Sequence, residues 1–193
     1  GDGNTAVGFK ALTVSNGADN NGNTAIGYLS LTACTTGVNN TAVGYNSGLD
    51  LTTGSYNTIV GYEALPNAQV NVNSTTAIGY RAGYKLGDDG ASDHSENNTI
   101  VGYLAMGGGH DTVAQNTANH NTALGYRALG GTTGTSTAIT STNCVAIGHD
   151  AMDSISSGYD NIAIGKDAGD TITTGQWNTV IGTGADVSTG AAE

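Results

Sequence analysis

The chain has 193 residues, including 31 glycines and one proline, and only 11% of its residues are charged. Its 16 acidic and 5 basic residues give a net charge of −11, which repels phosphate backbones, so we expect no nucleic-acid partner. The sequence contains no run of about 20 apolar residues and no basic-then-apolar start. We therefore expect no membrane insertion by this segment, and any anchor or signal would lie outside it.

One six-residue motif returns ten times along the chain and organises the rest of it. It is clearest as Asn-Thr-Ala-Val-Gly-Tyr at 40–45, and successive copies are 17 to 23 residues apart. The marker glycines of the ten copies are Gly8, Gly27, Gly44, Gly61, Gly79, Gly102, Gly125, Gly148, Gly165 and Gly182. So short a period, kept from end to end, predicts a stack of small units and not a domain with one centre.

Aligned on the marker glycines, the residues fall into columns. Two successive rungs contribute Asn40, Ala42, Val43, Gly44 and Tyr45, then Asn57, Val60, Gly61 and Tyr62. The Val/Ile column, just before the glycine, is β-branched in nine of ten rungs, which favours a strand. The Ala column before it is apolar too, so we expect both faces of the strand to be covered. The asparagine column suits a left-handed corner, and stacked asparagines can bond from rung to rung.

Each rung is predicted to be a strand, a corner, a short return segment and a second corner. The fold class is therefore all-β, a parallel β-roll or β-solenoid of ten rungs of about 17 residues, forming one repeat domain over 1–193. Seventeen residues enclose little apolar material, so we expect other copies of the chain to cover the Val/Ile face. Because neither end offers a capping element, we expect a segment of a longer fibre. Cys34 and Cys144 lie six rungs apart, too far for a disulfide.

Three consecutive intervals are six residues longer than 17 and carry insertions at about 84–97, 107–120 and 130–142. Insertions at the same point of adjacent rungs should stack as one lateral protrusion, which is either a binding face or a set of tolerated loops. With the corner residue Trp177, the ionisable residues of these loops are the candidate receptor contacts: Asp88, Asp89, Asp93, His94, His110, Asp111 and His120. Tyr56 and Tyr159 are further corner residues that we expect to be exposed.

Carboxylates and imidazoles can hold a divalent cation, but their spacing here matches neither an EF-hand nor an RTX loop. We predict no metal and no cofactor, and the residues that would serve if one bound are Asp93, His94, His110, Asp111 and His149. The aromatic column after the glycine is either a carbohydrate platform or a structural ladder, and its regularity favours the ladder. No nucleophile elbow of the type G-x-S-x-G is present, and a thin rod offers few pockets, so we predict no enzyme.

The motif resembles known repeat proteins. The units at 57–65 and the Thr-Thr-Gly spacer at 52–54 are similar to bacteriophage tail-fibre repeats. The stretch at 143–148 resembles the YadA-like heads of trimeric autotransporter adhesins. The resemblance implies a homotrimer on a virion or a bacterial surface, with a host glycan or protein as its partner. The rung here is longer than the adhesin one, and the insertions have no counterpart in the plain repeat.

Three functions compete at this point. The first is a structural, receptor-contacting segment of a trimeric extracellular fibre, above all a phage tail fibre that mediates host attachment. The second is the head of a bacterial trimeric autotransporter adhesin. The third is an ice-binding β-solenoid, which requires that the threonine column beginning Thr5, Thr24 and Thr41 be flat and exposed. Val145 and Ile162 in that column argue against the third function.

Overall fold

The computed structural model describes residues 2–14, 20–68, 71–87, 94–107, 117–131 and 138–187. Within these ranges the chain is all-β, with twelve short strands and no helix. The strands are β1 (Thr5–Val7), β2 (Thr24–Ile26), β3 (Thr41–Val43), β4 (Thr58–Val60), β5 (Val72–Asn73), β6 (Thr76–Ile78), β7 (Ser95–Glu96), β8 (Thr99–Val101), β9 (Thr122–Leu124), β10 (Val145–Ile147), β11 (Ile162–Ile164) and β12 (Thr179–Ile181).

Ten of these strands, one per motif, form a single parallel sheet in the order β1-β2-β3-β4-β6-β8-β9-β10-β11-β12. Each motif pairs with the next in the same register, for example Thr41 with Thr58 and Val43 with Val60. The parallel stack of rungs predicted from the repeat is confirmed. The remaining strands, β5 and β7, pair in parallel at the corner before the motif. Successive bridges join Asn119 to Thr142, Thr142 to Tyr159 and Tyr159 to Gln176, and they extend this corner ladder toward the C-terminus, where the sequence predicts only a turn.

The marker glycines are required by the backbone itself. Their φ angles lie between +127° and +141°, outside the usual range of L side chains. In addition, a Cβ on Gly44 would overlap the carbonyl oxygen of Gly61, and the same relation joins every marker glycine to the next. The glycines therefore stack directly on one another, and no other residue fits in the interior of that column.

The left-handed corner residue is not the one that the sequence analysis expects. The asparagines of the motif have no positive φ; their predecessors do, including Asn39, Tyr56, His120 and Trp177, with φ between +55° and +63°. The asparagine side chains instead point into the rung and are buried from Asn23 to Asn161. The expectation is wrong because the side-chain bonds, not the backbone angle, select asparagine at this position.

The predicted bonding between stacked asparagines is confirmed. Asn40 Nδ2 donates to the carbonyl of Gly54 at 2.8 Å and to Asn23 Oδ1 at 3.1 Å. Asn40 Oδ1 in turn accepts bonds from the backbone N and the Nδ2 of Asn57, each at 3.0 Å. The Asn40 side chain thus bonds buried backbone groups and the asparagines of the rungs before and after it. The buried polar groups therefore all have hydrogen-bond partners at this position.

Behind the strands, the apolar interior contains one large side chain for each pair of neighbouring rungs. The Ala column is buried from Ala25 onward, and the large residue usually stands four positions after the marker glycine, as Leu31 does before Ala42. In three rungs the sizes are exchanged: a glycine stands four positions after the marker glycine, and the next residue of the Ala column is large. These pairs are Gly48 with Ile59, Gly83 with Ile100, and Gly169 with Val180. A Cβ on Gly48 would stand 2.9 Å from Leu31 Cδ2 and 3.0 Å from Ile59 Cδ1, so the glycine leaves room for both side chains.

The outward face of the sheet is not covered by the chain itself. In the sheet strands from β2 onward the middle residue is buried, whereas the threonine column and the Val/Ile column are exposed or half-buried; all three residues of β1 are exposed. In interior strands Ile26 is 39% exposed and Ile78 is 37% exposed, and at the two edge strands Val7 and Ile181 reach 56% and 66%. The single chain therefore covers only one face of the strand, and the cover of the Val/Ile face by other copies of the chain stays a prediction.

Candidate functional site

The aromatic column forms one continuous stack on the outside of the molecule. The rings of Phe9, Tyr28, Tyr45, Tyr62, Tyr80, Tyr103, Tyr126 and His149 follow one another with centroid distances of 4.7 to 5.4 Å. Their planes are inclined to each other by 4° to 15°. The rings remain partly exposed, Tyr45 to 42%, so the ladder and the neighbouring Val/Ile column form one long apolar stripe.

The stack changes character at its last ring. After His149 the column continues with Lys166 and Thr183, and the next column along contains Asp150 and Asp167. His149 Nδ1 lies 2.9 Å from Asp150 Oδ2 and 4.0 Å from Asp167 Oδ1. These three side chains, which we call the His–Asp–Asp cluster, have one ligand atom each within 4.8 Å of the others.

Two basic side chains border the cluster. Arg127 lies 3.8 Å from Asp150 through Nε and bonds Asp153 Oδ2 through Nη2 at 3.1 Å. Lys166 bonds Asp167 Oδ2, and that bond raises the pKa of the Lys166 ammonium. Burial raises the pKa of the Asp153 carboxyl, although the Arg127 charge opposes this effect. Each aspartate of the cluster therefore has one oxygen near a cation and its other oxygen turned toward His149.

The predicted receptor contacts are only partly visible. Asp88, Asp89, Asp93, His110 and Asp111 lie outside the described residues, as do the central parts of the three insertions. His94 is exposed, and the exposed His120 has its Nε2 3.3 Å from Asn97 Nδ2. The structure does not bring His94, His120 and His149 together in any metal-ligating group among the described residues.

The three aromatic corner residues Tyr56, Tyr159 and Trp177 are exposed, as the sequence predicts, Tyr159 to 38%. Trp177 is 70% exposed and Tyr56 is 62% exposed. Trp177 meets Tyr159 edge to face with ring centroids 5.7 Å apart. Both Trp177 and Tyr56 hold left-handed backbone at the same corner of their rungs, so they project from one side of the stack.

The two cysteines are buried and unbridged, as predicted. Burial raises the pKa of the Cys34 thiol and of the Cys144 thiol, which keeps both in the protonated, weakly nucleophilic form. Cys144 replaces an asparagine in the interior ladder, and its backbone N still donates to Asn121 Oδ1 at 2.8 Å. These thiols are therefore interior packing residues.

Asp150 and Asp167 are not among the residues that the sequence singles out, because neither lies in an insertion or in the aromatic column. The signal was present in the period: His149 and Lys166 are one rung apart, and Asp150 and Asp167 are one rung apart beside them. Residues that are 17 positions apart in sequence stand on neighbouring rungs, so these four side chains lie close together.

The fold defines the class of protein: a parallel β-solenoid built from short repeats. No protein-family model matches the chain, and neither do any curated protein or solved structure. In the part of the chain that the structure describes, no helix is long and apolar enough to cross a bilayer.

Proposed function

We propose that the chain is a structural, receptor-contacting segment of an extracellular fibre in which three copies pack around a common axis, and that the fibre is a bacteriophage tail fibre. One observation supports this most strongly: the Val/Ile column of all ten rungs and the aromatic column of the first seven rungs form a stripe that stays partly exposed in the single chain. Apolar stripes of this length on soluble proteins mark surfaces that a partner covers.

The chemistry of the stripe favours further copies of the same chain as the partner. It carries few charges through the first seven rungs, and it repeats with the strand spacing of about 4.8 Å, so an identical stripe matches it along its whole length. The number three rests on the resemblance to tail-fibre and adhesin repeats. The exposed corner residues Tyr56 and Trp177 would stay available for contact with a host glycan or protein.

The solution mass of the purified chain tests the assembly. Analytical ultracentrifugation should give three times the 19.2 kDa of one chain. Val60→Lys places a charge on the stripe and should shift the mass toward that of the monomer. Thr53→Lys, at an exposed corner, is the matched control and should leave the mass unchanged. A wild-type mass near 19.2 kDa would end the trimer proposal.

Receptor contact needs its own test. Binding of the trimer to a glycan array and to whole bacterial surfaces should fall for Trp177→Ala and for a variant with the 107–120 insertion shortened. If both variants bind like the wild type, receptor contact belongs elsewhere in the fibre. In the full gene, a C-terminal intramolecular chaperone would favour the phage, whereas a C-terminal membrane anchor would favour the head of a bacterial adhesin.

One observation favours an ice-binding solenoid as a second candidate. The threonine column is exposed or half-buried, as that function requires, with Thr41 and Thr58 among its exposed members. The tyrosine ladder on the same face and the apolar Ile162 within the column oppose it. A thermal-hysteresis assay on the purified chain separates the two, since clear activity that Thr41→Lys abolishes would favour ice binding.

A further inference from the structure

We infer that the His–Asp–Asp cluster at the end of the aromatic ladder is a binding site for a divalent transition-metal ion such as Zn²⁺ or Ni²⁺. This reverses the sequence-based expectation of no metal. It does not depend on the proposed fibre function, because all three ligands come from one chain.

The spacing of the donor atoms supports a chelate. His149 Nδ1 stands 2.9 Å from Asp150 Oδ2 and 4.0 Å from Asp167 Oδ1, and all three donors lie within 4.8 Å of one another. Donor atoms that each lie about 2.0–2.2 Å from a tetrahedral zinc ion are about 3.3–3.6 Å apart. The separations of 2.9 Å and 4.0 Å stand on either side of this range, so a bound cation would move Asp150 slightly away from His149 and draw Asp167 closer to it.

The surroundings hold the ligands in place. His149 stacks on Tyr126 with ring centroids 4.7 Å apart, which fixes the plane of the imidazole. Asp150 Oδ1 is buried and accepts no hydrogen bond, and Arg127 lies 3.8 Å away from it. Lys166 holds Asp167 Oδ2, which leaves Oδ1 free to turn toward His149. Such outer contacts orient ligands in established metal sites.

Charge and ligand type select the kind of ion. Asp150, Asp153 and Asp167 supply three negative charges against the two positive charges of Arg127 and Lys166, which leaves an excess negative charge for a cation. One imidazole with two carboxylates suits Zn²⁺, Ni²⁺, Co²⁺ or Cu²⁺, whereas Ca²⁺ and Mg²⁺ prefer oxygen ligands alone. The exposed side of His149 leaves room for water to complete the coordination.

The test measures Zn²⁺ and Ni²⁺ binding by isothermal titration calorimetry on the full chain after EDTA treatment and dialysis. One ion should bind per chain, and Tm should rise with the logarithm of the zinc concentration. His149→Tyr should abolish both effects while it preserves the fold, since tyrosine occupies this column in the preceding rungs. Asp167→Asn should weaken zinc binding at least tenfold.

The control removes the other histidines. The variant H94N/H110N/H120N keeps the cluster and should bind zinc with wild-type affinity, and Ca²⁺ or Mg²⁺ should not raise Tm in any variant. Wild-type protein without zinc binding would overturn the inference. So would equal binding by His149→Tyr, or loss of binding in the triple variant alone, because the ion would then sit on other residues.

Discussion

The first seven rungs and the last three share one backbone but carry different side chains on their outer face. From Phe9 to Tyr126 the aromatic column is an unbroken stack of rings, whereas His149, Lys166 and Thr183 continue it with polar groups. Strand register and glycine conformation are the same in both regions. The backbone is therefore specified by the inward columns, and the outward columns can vary without changing it.

The largest effect should come from the marker glycines, equally in both regions. Gly102→Ala and Gly165→Ala each force a Cβ against the next glycine carbonyl, at φ angles of +141° and +135°. We expect each to cost about 4 kcal/mol or more of unfolding free energy, measured by urea denaturation. Gly184→Asn is the control: its φ of +62° resembles that of Asn46, so the loss should stay under about 1 kcal/mol. A much larger loss at only one of the two glycines would contradict a shared backbone.

The next effect concerns the shared interior space. Ile59→Ala should cost about 2–4 kcal/mol through the cavity it leaves, and Gly48→Leu about 1–3 kcal/mol through overpacking against Ile59 and Leu31. The double variant should recover most of the loss, because Leu31 beside Ala42 already shows this arrangement one rung below. A double-mutant cycle by urea denaturation measures the coupling, and strictly additive losses would show that the positions are independent.

The asparagine ladder should respond somewhat less, and alike in both regions. Asn40→Ala removes the donors to Gly54 and leaves the Asn57 amide without its acceptor. Asn161→Ala does the same to Gly175 and Asn178. We expect each to cost about 2–3 kcal/mol in thermal or urea unfolding. Asn39→Gly, at the exposed left-handed corner that Gly22 occupies one rung below, should change stability little.

The smallest effect is the one that should distinguish the regions. Tyr103 stacks on Tyr80 at 4.8 Å and on Tyr126 at 5.3 Å, so Tyr103→Ala should cost about 1–2 kcal/mol. Lys166→Ala, in the same column, removes only an exposed ion pair and should be harder to detect. Equal losses, measured by differential scanning calorimetry, would mean that ring stacking contributes nothing to stability.

The sequence predicts the repeat, the parallel strands, the register and the bonded asparagines, because each depends on residues that recur in every rung. It does not reveal the alternation between Gly48 with Ile59 and Leu31 with Ala42, since that alternation joins residues of different rungs. Nor does it show what covers the outward Val/Ile column, which the single chain leaves exposed or half-buried. Apolar character shows that burial is favourable, but it does not show whether the same chain supplies the cover.

The uniform register has a consequence for length. Excising residues 45–61 would join Gly44 to Tyr62, bring every column back into line, and remove Gly48 together with the isoleucine that compensates for it. The remaining coil would be shorter by one strand spacing, about 4.8 Å, with no mismatched layer at the seam. A rod of this design can be lengthened or trimmed one whole turn at a time, so its reach is a quantity that duplication and deletion can tune.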